Sequence, residues 1–175
     1  MERSLTRLPV LFALALAPAA CVPALPAAMA GDGPSPGGGG SAVRYEAGPA
    51  AGSMVAEVER LINADRARVG CPALQWDGAA ASAAQAHSDD MARRNYFSHT
   101  SPDGRTVVDR MRAQGADYRS LGENIAMGQR TAAEVVRGWL NSPGHRANIE
   151  NCRYTRAGVG FREYRWTQVF YTPPR

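Results

Sequence analysis

The stretch Asn95-Tyr96-Phe97-Ser98-His99-Thr100-Ser101-Pro102-Asp103-Gly104 is the point around which the rest of the chain is organised. It follows a long helical pattern, and it ends with proline and glycine at the positions that a type I turn favours. The stretch contains His99, one of the 3 histidines in the chain. Polar residues at the ends of regular elements are frequent sites of binding and catalysis. His99 is therefore the first candidate site residue.

Two helices are predicted upstream of this stretch. Apolar residues at helical spacing indicate one helix over 54–69. A second helix starts after Asp77, a good N-cap residue, and runs to about Asn95. It carries His87 on a face of small residues, which allows close approach to a neighbouring element. We expect His87 to be a packed core histidine with a hydrogen bond.

Downstream of the stretch the pattern changes from helices to strands. Helices are predicted over 106–114 and 131–140, with one further helical turn over 145–149. A short strand is predicted around 123–126, and a hairpin with its loop at 162–165 closes the chain. This order predicts an α+β fold in which helices cover a small antiparallel sheet.

The N-terminus has the features of an export signal. Residues 1–30 form a predicted signal peptide, with a basic start and a short apolar run. Cleavage after Ala30 is one possibility, and lipidation of Cys21 at a degraded lipobox is the other. Residues 31–52 read as a Gly/Pro/Ser-rich flexible linker, so the folded domain is predicted over 53–175.

Length and charge restrict the classes of function. A chain of 175 residues fits one domain with a real core. All 20 basic residues are arginine, the net charge is +4, and no basic block interleaves with aromatics. Nucleic acid is therefore excluded as an expected partner, whereas contact with an anionic cell surface is compatible with this charge.

Export also changes the interpretation of the cysteines. With Cys21 removed or lipidated, Cys71 and Cys152 remain. Two cysteines in an oxidising compartment permit one bridge, and two unpaired buried thiols are the alternative.

Three residues at element ends form a candidate site. His99, Glu123 and His145 would supply two imidazoles and a carboxylate, a normal ligand set for a divalent transition metal completed by water. The spacing does not require such a site. The alternative is that the histidines bond to backbone carbonyls and Glu123 caps a loop.

A nucleophilic hydrolase is the other chemistry considered. Ser98, Ser101 and Ser142 are close in sequence to candidate histidines. No Gly-x-Ser-x-Gly elbow is present in the sequence, and neither Cys71 nor Cys152 is a convincing nucleophile.

Four motifs follow one another along the chain: Ala86-His87-Ser88-Asp89-Asp90-Met91, Tyr96 to Pro102, Gly122-Glu123-Asn124-Ile125-Ala126, and Trp139 to Ile149. Taken together and in this order, they resemble the CAP superfamily of cysteine-rich secretory proteins, antigen 5 and pathogenesis-related 1 proteins, especially its small bacterial members. The resemblance covers about 54–170.

The resemblance implies an α-β-α sandwich with an antiparallel sheet between helices. It also implies that His99, Glu123 and His145 converge in one cleft, where the two histidines hold zinc or another divalent metal. It supports a disulfide between Cys71 and Cys152. This sequence departs from the family at Ser142, which stands where metal-binding members carry a second glutamate.

Two functions follow as expectations. The first is a secreted, monomeric, non-enzymatic binding module whose cleft takes a divalent metal or an apolar ligand, with a lipid or cell-envelope component as the partner. The second is an extracellular hydrolase, directed at protein or cell wall, that uses the same cleft. The expected location is extracellular, either released or lipid-anchored on the outer side of the cytoplasmic membrane. Because no activated nucleophile is visible, the first function is preferred.

Overall fold

The structure is a computed structural model, and it describes residues 51–175. The predicted signal peptide over 1–30, the alternative lipidation of Cys21 and the linker as far as residue 50 lie outside the described residues. None of the helices within 51–175 combines the length and apolar character needed to cross a bilayer.

Five helices and four strands make up the regular structure of the described residues. The helices are α1 (Ala51–Arg68), α2 (Gly78–Arg93), α3 (Val107–Ala113), α4 (Ala132–Asn141) and α5 (Pro143–Ile149). The strands are β1 (Gln75–Trp76), β2 (Ser120–Met127), β3 (Arg156–Arg162) and β4 (Arg165–Thr172).

The first two helices begin and end where local sequence signals allow. Helix α1 starts at Ala51, two residues before the predicted domain start at Ser53, because alanine favours helix. Gly70 follows α1 in the left-handed region, with φ of 78°. The carboxylate of Asp77 accepts hydrogen bonds of 3.0 Å from the N–H groups of Ala79 and Ala80, which confirms the predicted N-cap of α2.

The caps of α3 and α4 differ in one detail. Thr106 and Asp109 form a complete capping box at the start of α3. At α4, Thr131 accepts a bond of 3.2 Å from the N–H of Glu134. The Glu134 carboxylate, however, accepts from the N–H of Arg130 at 2.8 Å, so the return bond that would complete a capping box goes one residue upstream of Thr131. Glu134 therefore stabilises the start of a helix.

The sheet lies between two layers of helices. Its strand order is β1-β3-β4-β2, and the pairs β2–β4 and β3–β4 are antiparallel. The two-residue strand β1 pairs in parallel with β3, so the expected antiparallel sheet has one parallel edge. Helices α2 and α3 cover one face, and α1, α4 and α5 pack together on the other. The predicted three-layer α-β-α architecture is thereby confirmed.

Glycines in β3 let α2 approach the sheet closely. A Cβ atom added at Gly158 would lie 2.0 Å from the backbone nitrogen of Ala81, and one added at Gly160 would lie 2.3 Å from that of Gln85. The facing residues Ala80 and Ala84 are fully buried. Small side chains on both partners therefore bring helix and sheet into backbone contact, as the small-residue face of α2 predicted.

Strand β2 is an edge strand whose side chains alternate between the two helical layers. Glu123 is the register partner of Val169, which belongs to the core beneath α2. Asn124 is the register partner of Gln168, whose neighbours Trp166 and Phe170 belong to the core on the α1/α4 side. Because successive side chains of a strand point to opposite faces, Glu123 faces the layer of α2 and α3, and Asn124 faces the layer of α1, α4 and α5.

A disulfide joins Cys71 to Cys152, with the Cα atoms 4.9 Å apart. This confirms the predicted bridge between the end of α1 and the segment after α5. Beside it, the fully buried Arg66 donates to the carbonyls of Pro72 at 2.9 Å, Ile149 at 2.7 Å and Tyr154 at 3.0 Å. Both features tie α1 to the C-terminal end of α5.

Candidate functional site

The site centres on a hydrogen bond between His99 and Glu123. Nδ1 of His99 lies 2.7 Å from Oε1 of Glu123. The imidazole is 55% exposed, whereas the Glu123 side chain is only 3% exposed. The turn after α2 places the histidine, and the edge strand β2 places the carboxylate. The structure therefore brings together two predicted site residues that are 24 positions apart in the sequence.

The second carboxylate oxygen of Glu123 is held by Arg110 of α3. Nη2 of Arg110 lies 2.8 Å from Oε2 of Glu123, and both side chains are 3% exposed. The same nitrogen donates to the carbonyl of His99 at 2.9 Å, and Nη1 donates to that of Arg105 at 3.2 Å. Arg110 thus fixes both the carboxylate and the backbone of the loop that carries His99.

Arg110 is a site residue that no sequence motif identifies. It is one of the 20 basic residues, all arginine, and the arginine-rich composition conceals it. One signal was available, because Arg110 lies between Val107 and Met111 on a single face of α3. Met111 is fully buried and Arg110 is 4% exposed. An arginine within the apolar stripe of a helix indicates a buried anionic or carbonyl partner.

His87 lies beneath the same loop and has a structural role. It is fully buried, and its Nε2 is 2.9 Å from the carbonyl oxygen of Ser98. Its Nδ1 is 3.5 Å from the hydroxyl of Tyr96, which donates to Oδ2 of Asp90 at 2.7 Å. Burial lowers the pKa of His87, so the neutral ring is the form that the fold stabilises. The expected core histidine is confirmed.

His145, the third predicted site residue, belongs to the helical layer on the opposite face of the sheet. It lies in the first turn of α5 and is half-buried. The amide of Asn124 donates to its backbone carbonyl at 3.1 Å and thereby holds this end of α5 against β2. Burial lowers the pKa of the His145 imidazole, and a positive charge on His99 would lower it further. The backbone of His145 therefore lies against the residue that follows Glu123 in β2.

Ser142 occupies the junction between α4 and α5. Its N–H donates to the carbonyl of Trp139 at 3.1 Å, and its carbonyl accepts from the N–H of Arg146 at 2.8 Å. Its hydroxyl makes no capping bond at the start of α5. Ser142 thus offers a hydroxyl at the position where metal-binding members of the family are expected to carry a second glutamate.

The candidate nucleophiles are not paired with an imidazole. The hydroxyl of Ser98 accepts from the N–H of Thr100 at 3.2 Å. Ser101 is 4% exposed, and its hydroxyl bonds to that of Tyr96 at 3.0 Å. Within residues 51–175, the hydrogen bonds of the histidine rings go to Ser98 O, Tyr96 and Glu123, and none goes to a serine hydroxyl.

The structure provides few candidate ligands for a metal ion. No group of three or more His, Cys, Asp or Glu side chains among the described residues is arranged to hold a metal ion. Both oxygens of Glu123 are already engaged, by His99 and by Arg110. His99 and His145 therefore remain as the metal-binding candidates, with Glu123 orienting His99 from behind.

Known proteins with related sequences are bacterial. The chain is 46% identical over 116 residues to Uncharacterized protein YkwD of Bacillus subtilis, an alignment that covers 65% of this chain and 45% of that protein. It is 41% identical over 110 residues to Uncharacterized membrane protein YlbC of the same organism, with 63% and 32% covered. The chain thus spans less than half the length of either relative.

Solved structures show the same architecture. An extracellular protein of Bacillus anthracis that contains an SCP domain superimposes with a TM-score of 0.67 at 38% identity, covering 69% of this chain and 40% of that one. An outer surface protein of Borrelia burgdorferi gives a TM-score of 0.65 at 19% identity, covering 70% and 94%. The second likeness concerns the fold alone.

The family model for CAP, the cysteine-rich secretory protein family, matches residues 59–172. The matched range contains all four strands of the sheet and the disulfide. It also contains the three predicted site residues, His99, Glu123 and His145. The chain belongs to the CAP family of cysteine-rich secretory proteins.

Proposed function

We propose that this protein is an extracellular binding module that takes its ligand through the imidazoles of His99 and His145. The observation that carries the proposal is the 2.7 Å hydrogen bond between Nδ1 of His99 and the buried carboxylate of Glu123. Because Glu123 is also paired with the guanidinium of Arg110, its carboxylate only accepts hydrogen bonds. Nδ1 of His99 therefore carries the hydrogen, and Nε2 keeps its lone pair for a ligand.

A divalent metal such as zinc fits the chemistry of this donor set. A metal-binding histidine commonly donates its other ring N–H to a carboxylate, which is the relation of His99 to Glu123. The lowered pKa of His145 favours its neutral, metal-binding form at neutral pH. His99 and His145 would hold the metal, which would supply a Lewis acid to which a polar group of a ligand can bind.

Exposed apolar side chains support an apolar component in the ligand. Phe97, two residues before His99, is 46% exposed, and Met127 at the end of β2 is 49% exposed. Met127 has the same strand parity as Glu123, so both side chains leave β2 on the same face. In a lipid or another cell-envelope component, the polar part would bind at the two imidazoles, and the apolar part would contact Phe97 and Met127.

Hydrolysis is the second candidate function, and one observation favours it. A carboxylate bonded to Nδ1 of an imidazole is the relation between orienting group and general base in many hydrolases. Since no described serine hydroxyl bonds to His99, the base would act on water or on a hydroxyl of the substrate. Glu123 would orient, and His99 would accept the proton.

An extracellular location agrees with the resemblance to an extracellular SCP-domain protein of Bacillus anthracis. It also agrees with the disulfide, because such bridges persist in oxidising compartments. We place the folded domain outside the cytoplasmic membrane as a monomer, either released after Ala30 or anchored through a lipid on Cys21.

Calorimetric titration of zinc into the mature protein tests the metal site. Wild type is expected to bind one zinc, and His99→Ala and His145→Ala should each weaken binding by at least about tenfold, because each removes one of two imidazole ligands. Glu123→Gln should weaken binding less than either histidine variant does, by no more than roughly tenfold, because it acts only through the orientation of His99. Asp117→Asn removes an exposed carboxylate and serves as the control.

Equal heats for wild type and both histidine variants would refute the shared metal site. Incubation with casein and with peptidoglycan separates binding from hydrolysis. Activity that disappears in the His99→Ala/His145→Ala double variant would favour the hydrolase. Activity that persists in the double variant comes from a contaminant, and absence of activity in wild type favours the binding module.

A further inference from the structure

A buried glutamine on the sheet has no partner for its side-chain amide. Gln168 lies in β4, between β3 and β2, and is fully buried. Neither its Oε1 nor its Nε2 has a hydrogen-bond partner among the described residues. Burying an amide without hydrogen bonds destabilises the folded state. Native proteins satisfy nearly all such groups, through protein atoms or through internal water.

The residue opposite Gln168 in β2 also carries an amide, that of Asn124. Gln168 and Asn124 are direct register partners in the antiparallel pair β2–β4. Side chains at such positions share one face, with Cβ atoms about 4.5–5.5 Å apart. Asn124 is also fully buried, so this face of the sheet carries two adjacent amides.

The hydrogen bonds of Asn124 leave part of its amide available. Its Nδ2 donates to the carbonyl of His145 at 3.1 Å, and its Oδ1 accepts from Nδ2 of Asn148 at 2.9 Å. An amide nitrogen has two hydrogens, so one of them remains for a further acceptor. Asn124 and Gln168 together therefore offer two donor groups, Nδ2 and Nε2, and the acceptor Oε1, all on buried side chains.

We propose that Gln168 and Asn124 hold an internal water molecule beneath the N-terminal half of α5. A buried water typically makes about three hydrogen bonds to polar groups that otherwise have no partner. The water accepts from Asn124 and Nε2 of Gln168, or donates to Oε1 of Gln168, according to the orientation of the amide. Water fits this position because both amides are uncharged, offer donors as well as an acceptor, and lie on the face of the sheet that packs against the apolar core.

The internal water makes Gln168 a positioning residue for His145. Gln168 binds the water, and the water binds Asn124. Asn124 in turn donates to the carbonyl of His145 in the first turn of α5. The other end of α5 is held independently by the buried Ile149 and by Arg66, which binds the Ile149 carbonyl. Loss of the water should therefore disturb the end of α5 that carries His145 and leave the other end in place.

The variant Gln168→Met tests the proposal through the sign of the stability change. Methionine has a similar volume, so packing is largely kept while both amide atoms are removed. If the amide holds water, the variant leaves that water and Asn124 under-bonded, and Tm should fall by about 3–8 °C. If the amide has no partner in solution, removing it relieves a penalty and Tm should stay or rise. The second result would overturn the proposal.

Nuclear magnetic resonance of the wild-type protein provides a test that does not depend on a variant. A long-lived water should give a cross-relaxation signal to the side-chain amide protons of Asn124 and Gln168, and absence of that signal would contradict the site. In Gln168→Met, the ring resonances of His145 should shift while those of His87 stay in place.

Thr167→Val is the matched control, since it removes a buried polar group from the adjacent position of β4. Thr167 bonds to Ser88 at 3.0 Å on the opposite face of the sheet. We expect this variant to lower Tm without changing the His145 resonances or the water signal. A shift of the His145 resonances in Thr167→Val as large as that in Gln168→Met would show a general loosening of the strand and would refute the specific link.

Discussion

At the scale of single residues, Glu123 determines what the edge of β2 can do chemically. One oxygen orients the imidazole of His99 and the other neutralises the buried guanidinium of Arg110. A carboxylate with both oxygens engaged in this way is a poor metal ligand and a poor base. Its effect on chemistry passes through His99, whose tautomer it fixes.

The Arg110–Glu123 pair leads to a prediction about stability. Arg110→Met should lower the free energy of unfolding by about 3–5 kcal/mol, because it leaves the Glu123 carboxylate buried without its charged partner. Urea unfolding at neutral pH, followed by fluorescence, gives the measurement.

Adding Glu123→Gln to Arg110→Met removes the unpaired charge, so the double variant should recover part of the loss. A double variant whose loss equals the sum of the two single losses would show that the two side chains do not interact. The paired design thereby separates the cost of an isolated charge from the cost of lost packing.

The residues of the site differ in how far the sequence can predict them. His87 lies on a small-residue helix face, so its burial follows from local periodicity. His99 and Glu123 stand at element ends, where periodicity gives no partner, and only the resemblance implied that they meet. Arg110 was not predicted, because its partners come from β2 and from the loop before α3, both distant from its own local pattern.

At the scale of elements, α2 packs on β3 and carries the loop with His99 at its C-terminal end. The N-cap Asp77, the turn with a 2.8 Å bond from Gly104 N–H to the Ser101 carbonyl, and the β3–β4 hairpin were all predicted from local signals. The parallel pairing of β1 was not. Two residues carry no periodic pattern, and their pairing depends on a tertiary contact with Arg156 and Ala157.

Gly158→Ala is predicted to destabilise the protein strongly. The added Cβ would lie 2.0 Å from the Ala81 nitrogen and 2.3 Å from the Ala80 carbonyl carbon, so backbone must move. We expect a loss of about 3 kcal/mol or more in the free energy of unfolding, at the upper end of overpacking costs. Urea denaturation measures it, and the soluble yield reports failure to fold.

Gly138→Ala is the matched control in the exposed part of α4. Apart from its chain neighbours and the nearby backbone of α4 itself, no atom lies within 4 Å of the position of its added Cβ. The same chemical change should therefore stabilise the helix by about 0.5–1 kcal/mol. If Gly158→Ala were tolerated as well as Gly138→Ala, α2 would not be in backbone contact with the sheet in solution.

At the scale of the whole molecule, the site exists because two helical layers meet at one edge of the sheet. Strand β2 has Glu123 on the α2/α3 side and Asn124 on the α5 side, so each layer contributes one histidine. Spacing in the sequence could not show this, since the layer of a helix depends on topology. The arrangement also means that movement of α5 against the sheet changes the separation of the two imidazoles.

The Cys71–Cys152 bridge limits that movement, and its removal gives the last prediction. The bridge spans 81 positions, so opening it should cost roughly 4 kcal/mol of stability on the chain-entropy model. Because Arg66 and the bridge act at the same end of α5, amide exchange after reduction should rise first in α5 and the following loop, and later in α2.

Thiol labelling of the denatured, unreduced protein should find Cys71 and Cys152 blocked, and the Cys71→Ala/Cys152→Ala variant should reproduce the exchange pattern of the reduced protein. Uniform loss of protection over α2 and α5 would instead show that the bridge stabilises the fold globally and leaves the imidazole separation unaffected until the domain unfolds.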